Sequence, residues 1–187
     1  MPAPYIKLKN KKPFSLILDL DKTLAHSEIN IMKGDEVIIR LRPGIFPFLE
    51  EVEKYYELII FTEDTQDYAD KLIDTIEESN IYFDYRFYRQ HMVIIDKGFV
   101  KDLNRIGRPL DKVIIVDNMP QNFRLQKDNG IQIKAFWGED VYDNALEELG
   151  KILVNIAKEG GDLRIGIKKY KDDILNKVSL SSNLKIE

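Results

Sequence analysis

The chain has 187 residues, 44% of them apolar and 32% charged, enough for one domain with a substantial buried core. It contains no cysteine, which excludes disulfides, zinc–thiolate sites and a cysteine nucleophile. A net charge of −4 gives no overall attraction for nucleic acid or an anionic membrane, and no apolar run approaches bilayer length.

The start, "MPAPYIKLKNKK", lacks the apolar segment of a signal peptide, and Lys7, Lys9, Lys11 and Lys12 read as a solvated lead-in over residues 1–13. An intracellular protein, cytoplasmic or nuclear, and a monomer is expected. "FSLILDLD" (14–21) is the first of three short apolar runs; "ELIIFTED" (57–64) and "DKVIIVDN" (111–118) are the others. Each is too continuous for a strand with one wet face, so all three read as strands buried on both sides, the habit of a parallel sheet. Between them, "RPGIFPFLEEVEKYY" (42–56) predicts a helix with Pro43 near its start. "DTQDYADKLIDTIEES" (64–79) predicts another, with Tyr68, Leu72 and Ile76 on one face and Asp64 or Thr65 as its cap. In the segment 82–103, "IIDKGFV" predicts a hairpin turning at Asp96-Lys97-Gly98. "VYDNALEELGKILVNIAK" (141–158) is a third amphipathic helix, and Ile165 to Val178 a last one before a polar tail. Strands alternating with helices predict an α/β, doubly wound three-layer sandwich around a parallel sheet, with a small β-hairpin insertion. Residues 14–158 then form the main domain, and 159–187 a C-terminal helix and frayed tail.

All three apolar runs end in residues that handle phosphate and metal: Asp19, Asp21 and Thr23; Thr62; Asp117 and Asn118. In an open parallel sheet, ligands bind beyond the carboxyl ends of the strands. Neighbouring strands would therefore bring these clusters to one crevice. Two carboxylates spaced two apart repel unless one is protonated or a cation joins them, and Mg2+, hard and oxygen-loving, suits them. Asp19 can then attack phosphorus while Asp21 exchanges protons with the departing and attacking oxygens. Thr62 would donate to a phosphoryl oxygen, and Lys101 in "FVKDLNRIG" would neutralise growing charge.

The segments "DLDKTLAHS", "RPGIFPFLEEV", "IIFTED", "YRFYRQH", "FVKDLNRIGRPLDKVIIVDNMP" and "DNGIQIKAFWGE" resemble, in order, the RNA polymerase II C-terminal-domain phosphatases and NLI-interacting-factor-like phosphatases of the haloacid dehalogenase superfamily. The resemblance runs from about Phe14 to about Ala157. It implies a Mg2+-dependent phosphatase acting on phosphoserine or phosphothreonine in a protein segment. It implies Asp19 as nucleophile and metal ligand, and Asp21 as acid/base that binds metal through its carbonyl. It gives Thr23 a supporting role and makes Thr62 and Lys101 the phosphate-holding pair. Asn118 is implied as a direct metal ligand, and Asp117 as acting through water or by orienting Lys101. Arg89 is implied near the substrate phosphate, and Tyr68 near a peptide groove.

Lys22 stands where the family usually has glutamate, an exposed-looking change of little expected consequence. Glu63 and Asp64 replace small residues and add negative charge beside the phosphate site. The stretch 27–41 is shorter than the family's β-insertion, and no large cap domain is expected, leaving an open cleft. The resemblance also reaches a non-catalytic peptide-binding receptor, a subunit of the mitochondrial inner-membrane translocase, which typically lacks the intact aspartate pair. His26 and His91 are expected to be structural, and Trp137 to be packing.

Overall fold

The computed structural model describes residues 2–9, 12–30 and 36–180. Lys11 of the basic lead-in and residues 181–187 of the expected frayed tail lie outside them. The three apolar runs become β1 (Phe14–Leu18), β4 (Tyr56–Phe61) and β8 (Val113–Asp117), every residue of them buried. Between β1 and β4 come β2 (Ala25–Asn30), β3 (Glu36–Leu41) and helix α1 (Ile45–Val52). Then follow α2 (Gln66–Ile76), β5 (Tyr85–Phe87), β6 (Val93–Ile95) and β7 (Gly98–Val100), and after β8, β9 (Gly130–Gln132) and α3 (Ala145–Glu159). The main sheet has the order β5-β4-β1-β8-β9 and all its pairings are parallel. β1 is central, so both of its faces must be apolar, which is why its sequence does not alternate.

The two faces are covered differently. Leu16, Leu18, Leu58, Ile60, Ile114 and Val116 point to the layer of α1, α2 and α3, the larger of the two cores. Ile17, Ile59, Phe61, Val113 and Ile115 point the other way, onto Ile6, Met92, Leu103, Ile106 and Phe123. Of these, Leu103 and Phe123 belong to short 3₁₀ turns. The sandwich is the predicted one, but its second outer layer is made of 3₁₀ turns and extended chain.

The hairpin expected at 96–98 is β6–β7, turning on Asp96 and Lys97, both at positive φ, as a two-residue turn needs. A second hairpin, β2–β3, pairs His26 with Arg40 and Glu28 with Ile38, in a stretch the periodicity did not mark as strand. Helix α2 starts after Thr65, but no side chain caps it. The single last helix is a correction. The chain forms α4 (Leu163–Lys169), α5 (Lys171–Asp173) and a π-helical turn, Ile174–Ser179. The break at Tyr170 lets Ile174 and Val178 enter the core beside α3, where Lys134 N–H donates to the Val178 carbonyl at 2.9 Å.

Candidate active site

β1 ends one residue before Asp19, β4 one residue before Thr62, and β8 on Asp117, so adjacent parallel strands deliver these three groups to one edge of the sheet. β1 stops at Leu18, and the aspartate pair therefore sits on a loop rather than on the strand that the sequence suggested. Asp19 N–H still continues the ladder, donating to the Val116 carbonyl at 3.0 Å, which fixes where its side chain starts.

Lys101 follows β7 and is wholly buried. Its Nζ donates to Asp19 Oδ1 at 2.7 Å and to Asp117 Oδ2 at 2.6 Å. Burial opposes the ammonium charge, but Asp117 and Asp19 outweigh it and raise the Lys101 pKa. Asp117 is sealed from the cleft. Its Oδ1 accepts from Met119 N–H at 2.8 Å, and Asn122 Nδ2 reaches both carboxylate oxygens. A carboxylate so committed orients Lys101 and has no oxygen left for direct metal contact. Asp19, by contrast, keeps Oδ2 toward Thr23, whose hydroxyl donates to it at 3.0 Å and lies 3.5 Å from Asn118 Oδ1. Burial, then the Asp117 charge, push Asp19 up to about 7 despite Lys101 and Thr23.

Asp21 and Asn118 line the same cleft as Asp19 and Thr62. Asp19, Asp21 and Asn118 bring hard oxygen donors to this cleft, a chemistry that suits Mg2+ and not a soft metal. A divalent ion there would add to Lys101 in offsetting the burial that raises the Asp19 pKa.

Three expectations take another form. Thr62 Oγ1 donates to Asp64 Oδ2 at 2.9 Å and accepts from Asp64 N–H at 3.1 Å, so its hydroxyl is already engaged. Arg89 is exposed and turned onto the loop beside Thr62, its Nε donating to the Glu63 carbonyl at 2.6 Å. It does not line the cleft. Tyr68 is half-buried on the apolar face of α2, and its hydroxyl bonds Ser27 Oγ, tying α2 to β2.

Sequence reasoning missed the surroundings of Asp21. Lys22 is no remote surface change: its Nζ lies 3.1 Å from Asp21 Oδ2. His26 Nδ1 lies 3.3 Å from Asp21 Oδ1. Trp137, expected to be packing, is 60% exposed and packs against both Lys22 and His26. The signal available in the sequence was the spacing of Asp21, Lys22 and His26 in one tight loop. His91 is structural, its Nδ1 accepting from Tyr88 N–H.

Comparison with known proteins places this arrangement in context. The sequence profile of the NLI interacting factor-like phosphatases matches residues 14–164. The CTD small phosphatase-like protein 3 of Caenorhabditis elegans is 35% identical over 176 residues, covering 87% of this chain and 61% of that protein. A mitochondrial import inner membrane translocase subunit of Kluyveromyces lactis is 30% identical over 164 residues, covering 87% of this chain and 33% of its own. A structure of the fission yeast RNA polymerase II CTD phosphatase bound to beryllium fluoride superimposes with a TM-score of 0.57 at 21% identity, over 85% of this chain and 54% of that one. That likeness speaks to the fold. The chain spans about a third to three fifths of the length of these curated relatives.

Proposed function

The chain belongs to the NLI interacting factor-like phosphatase family, and from that premise we propose that it is a Mg2+-dependent phosphoprotein phosphatase acting on phosphoserine or phosphothreonine through an aspartyl-phosphate. The observation that carries this reading is the buried ammonium of Lys101 between Asp19 and Asp117, 2.7 and 2.6 Å from their oxygens. Burying one cation and two carboxylates costs several kcal/mol per ion before the pairing offsets it, about as much as the pairing returns. Stability gives little reason for such a triad at the mouth of a sheet. Chemistry on a phosphate does.

In the first half-reaction an Asp19 oxygen forms a bond to phosphorus as the bond to the leaving oxygen breaks, and Asp21 gives that oxygen its proton. In the second, water attacks the aspartyl-phosphate, its proton passes to Asp21, and Asp19 and inorganic phosphate are released. Lys101, held by Asp117, neutralises charge on the transferring group, and Thr62 donates to one of its oxygens. Thr23 fixes Asp19 and Asn118 relative to each other. Asp19, the Asp21 carbonyl and Asn118 would hold Mg2+, which when bound would supply the charge that lets an anionic nucleophile meet an anionic substrate. Arg89 and Tyr68, on the rim, are assigned to the flanking peptide. Residues 14–158 are assigned to the catalytic unit and 159–187 to its C-terminal extension.

No large cap covers this cleft among the described residues, since only the β2–β3 hairpin stands between Thr23 and Arg42. An open site favours a phosphorylated protein segment over a small enclosed metabolite. A peptide receptor on the same fold is the second reading, favoured by the translocase-subunit relative. It has no use for a Lys101 triad, and it predicts partner binding that chelators leave unchanged. The test is turnover of p-nitrophenyl phosphate and phosphoserine peptides in Mg2+, with Asp19→Asn as control. We expect turnover in the native protein, loss with chelator, and loss of about 10⁴-fold or more in Asp19→Asn. Activity surviving that substitution rejects the mechanism.

A further inference from the structure

Both oxygens of Asp21 are held, and the hold is built from three parts of the chain. Lys22 takes Oδ2 at 3.1 Å and His26 takes Oδ1 at 3.3 Å. Lys22 adopts a left-handed backbone, φ 60°, a conformation that costs a non-glycine residue about 1 kcal/mol or more. The turn is fixed by Lys22 N–H on the Ala25 carbonyl at 2.7 Å and by Phe136 N–H on the Lys22 carbonyl at 2.8 Å. The second of these bonds places Trp137 behind the pair. Lys22 Nζ lies 4.6 Å from the centre of the indole, and the His26 ring meets it nearly edge-on at 5.7 Å. Gly138 keeps Trp137 there. At φ +86° the chain passes so close to Arg40 that a Cβ would lie 2.5 Å from its side chain.

Stability does not account for this assembly. A partly exposed lysine–aspartate pair is worth about 0–1 kcal/mol, and an exposed cation–π contact about the same. Those gains are no larger than the cost of the strained turn together with an indole left mostly in water. The arrangement does one thing well: it removes the rotational freedom of the carboxyl group that lines the cleft beside Asp19. A carboxylate has about four acceptor sites, and with one taken on each oxygen the others are aimed rather than free.

We infer that Lys22 and His26, backed by Trp137, are positioning residues that hold the Asp21 carboxyl in line for proton exchange with the leaving and attacking oxygens. The inference rests on the reading of Asp21 as the acid given above. His26 serves through its Nδ1, and Lys22 through its ammonium. Neither touches the transferring phosphoryl group.

The test separates proton delivery from everything else by changing the leaving group alone. Benzyl phosphate releases an alkoxide that needs a proton; p-nitrophenyl phosphate, of similar size, releases a stable phenolate that does not. kcat/KM for both is measured in Mg2+ for the native protein, Lys22→Met, His26→Leu, Trp137→Leu and Asp21→Asn. The expected result is a fall of about 10- to 100-fold on benzyl phosphate in the double variant Lys22→Met/His26→Leu, with less than about threefold change on p-nitrophenyl phosphate. Trp137→Leu should show a smaller effect of the same sign, and Lys22→Arg and His26→Asn, which keep a donor, should restore most of the ratio. Because the readout is a ratio of two substrates on one preparation, partial unfolding cancels from it. Equal losses on both substrates, or no loss, would overturn the inference. If Asp21→Asn itself shows no leaving-group dependence, the acid assignment fails first; if it does and the clamp variants do not, only the clamp fails.

Discussion

Thr62 meets a competitor before it can meet a substrate. Its hydroxyl hydrogen points at Asp64 Oδ2, so a phosphoryl oxygen has to take a proton that a neighbouring carboxylate already holds. That carboxylate also lines the cleft with like charge to the substrate. Asp64→Ala removes both the acceptor and the charge, and should lower KM for p-nitrophenyl phosphate and tighten inhibition by inorganic phosphate about three- to tenfold, near 1 kcal/mol for one like charge at the surface. Burial raises the Asp64 pKa although the Thr62 bond works against it. As pH falls through that raised value Asp64 becomes neutral, and the advantage of Asp64→Ala should shrink. A KM unchanged at every pH would mean that Thr62 does not hold the phosphoryl group. In the sequence Thr62 was legible as a phosphate-facing hydroxyl and Asp64 only as an added charge. The hydroxyl's engagement depends on a turn two residues long, which no pattern of apolar residues records.

Between elements, one buried carboxylate joins three of them. Arg42, just past β3, gives Asp143 two parallel bonds of 2.9 Å and donates to the Thr23 carbonyl at 3.0 Å. Asp143 Oδ1 also accepts from Ala145 N–H at 3.0 Å, capping α3, and Lys134 Nζ lies 3.1 Å from Oδ2. The loop carrying Thr23, the β3–α1 junction and the start of α3 are thus referred to a single point. Asp143→Ala leaves the wholly buried Arg42 guanidinium without its counter-ion, and should cost about 3–5 kcal/mol, or about 6–20 °C in Tm. Burial alone would raise the Asp143 pKa, but the Arg42 bonds and charge, the helix N–H and Lys134 bring it below 3.8. A depressed folded value means that this contribution is present above about pH 3.8 and is lost as pH falls through the lower one. The acid limb of a stability–pH curve should therefore flatten in Asp143→Ala, and an unchanged limb would count against the assignment. Few of these joints could be read from sequence. β1, β4 and β8 were legible because a strand buried on both faces must be apolar throughout. β2–β3, with one solvated face and charged residues in the pairs, lacks that mark. β5 and β9, three residues each, are too short to show any period.

On the scale of the whole molecule, what was legible is what the sheet order dictates: strands that are neighbours bring their ends together, so Asp19, Thr62 and Asp117 had to converge once β4-β1-β8 were adjacent and parallel. What was not legible arises where distant loops meet, as Lys22 does Trp137. On the proposed reading, the same convergence would make global stability a reporter of the metal. Burial and the Asp117 charge push Asp19 up to about 7, well above its ordinary 3.8, although Lys101 works against them. A raised folded value means that its contribution is complete below about pH 3.8 and declines as pH rises toward 7, because the folded state resists ionisation there. On the proposed reading Mg2+ would bind the ionised carboxylate, so below about pH 7 it would have to displace a proton and above it would not. Saturating Mg2+ should accordingly raise Tm clearly at pH 8 and little at pH 5.5, with chelator as the reference at each pH. Asp19→Asn carries no proton to displace and no charge to relieve. Its Tm in chelator should exceed that of the native protein at pH 8, and Mg2+ should leave it nearly unmoved. A Mg2+ shift of equal size at both pH values, or one that persists in Asp19→Asn, would place the cation somewhere other than on this carboxylate.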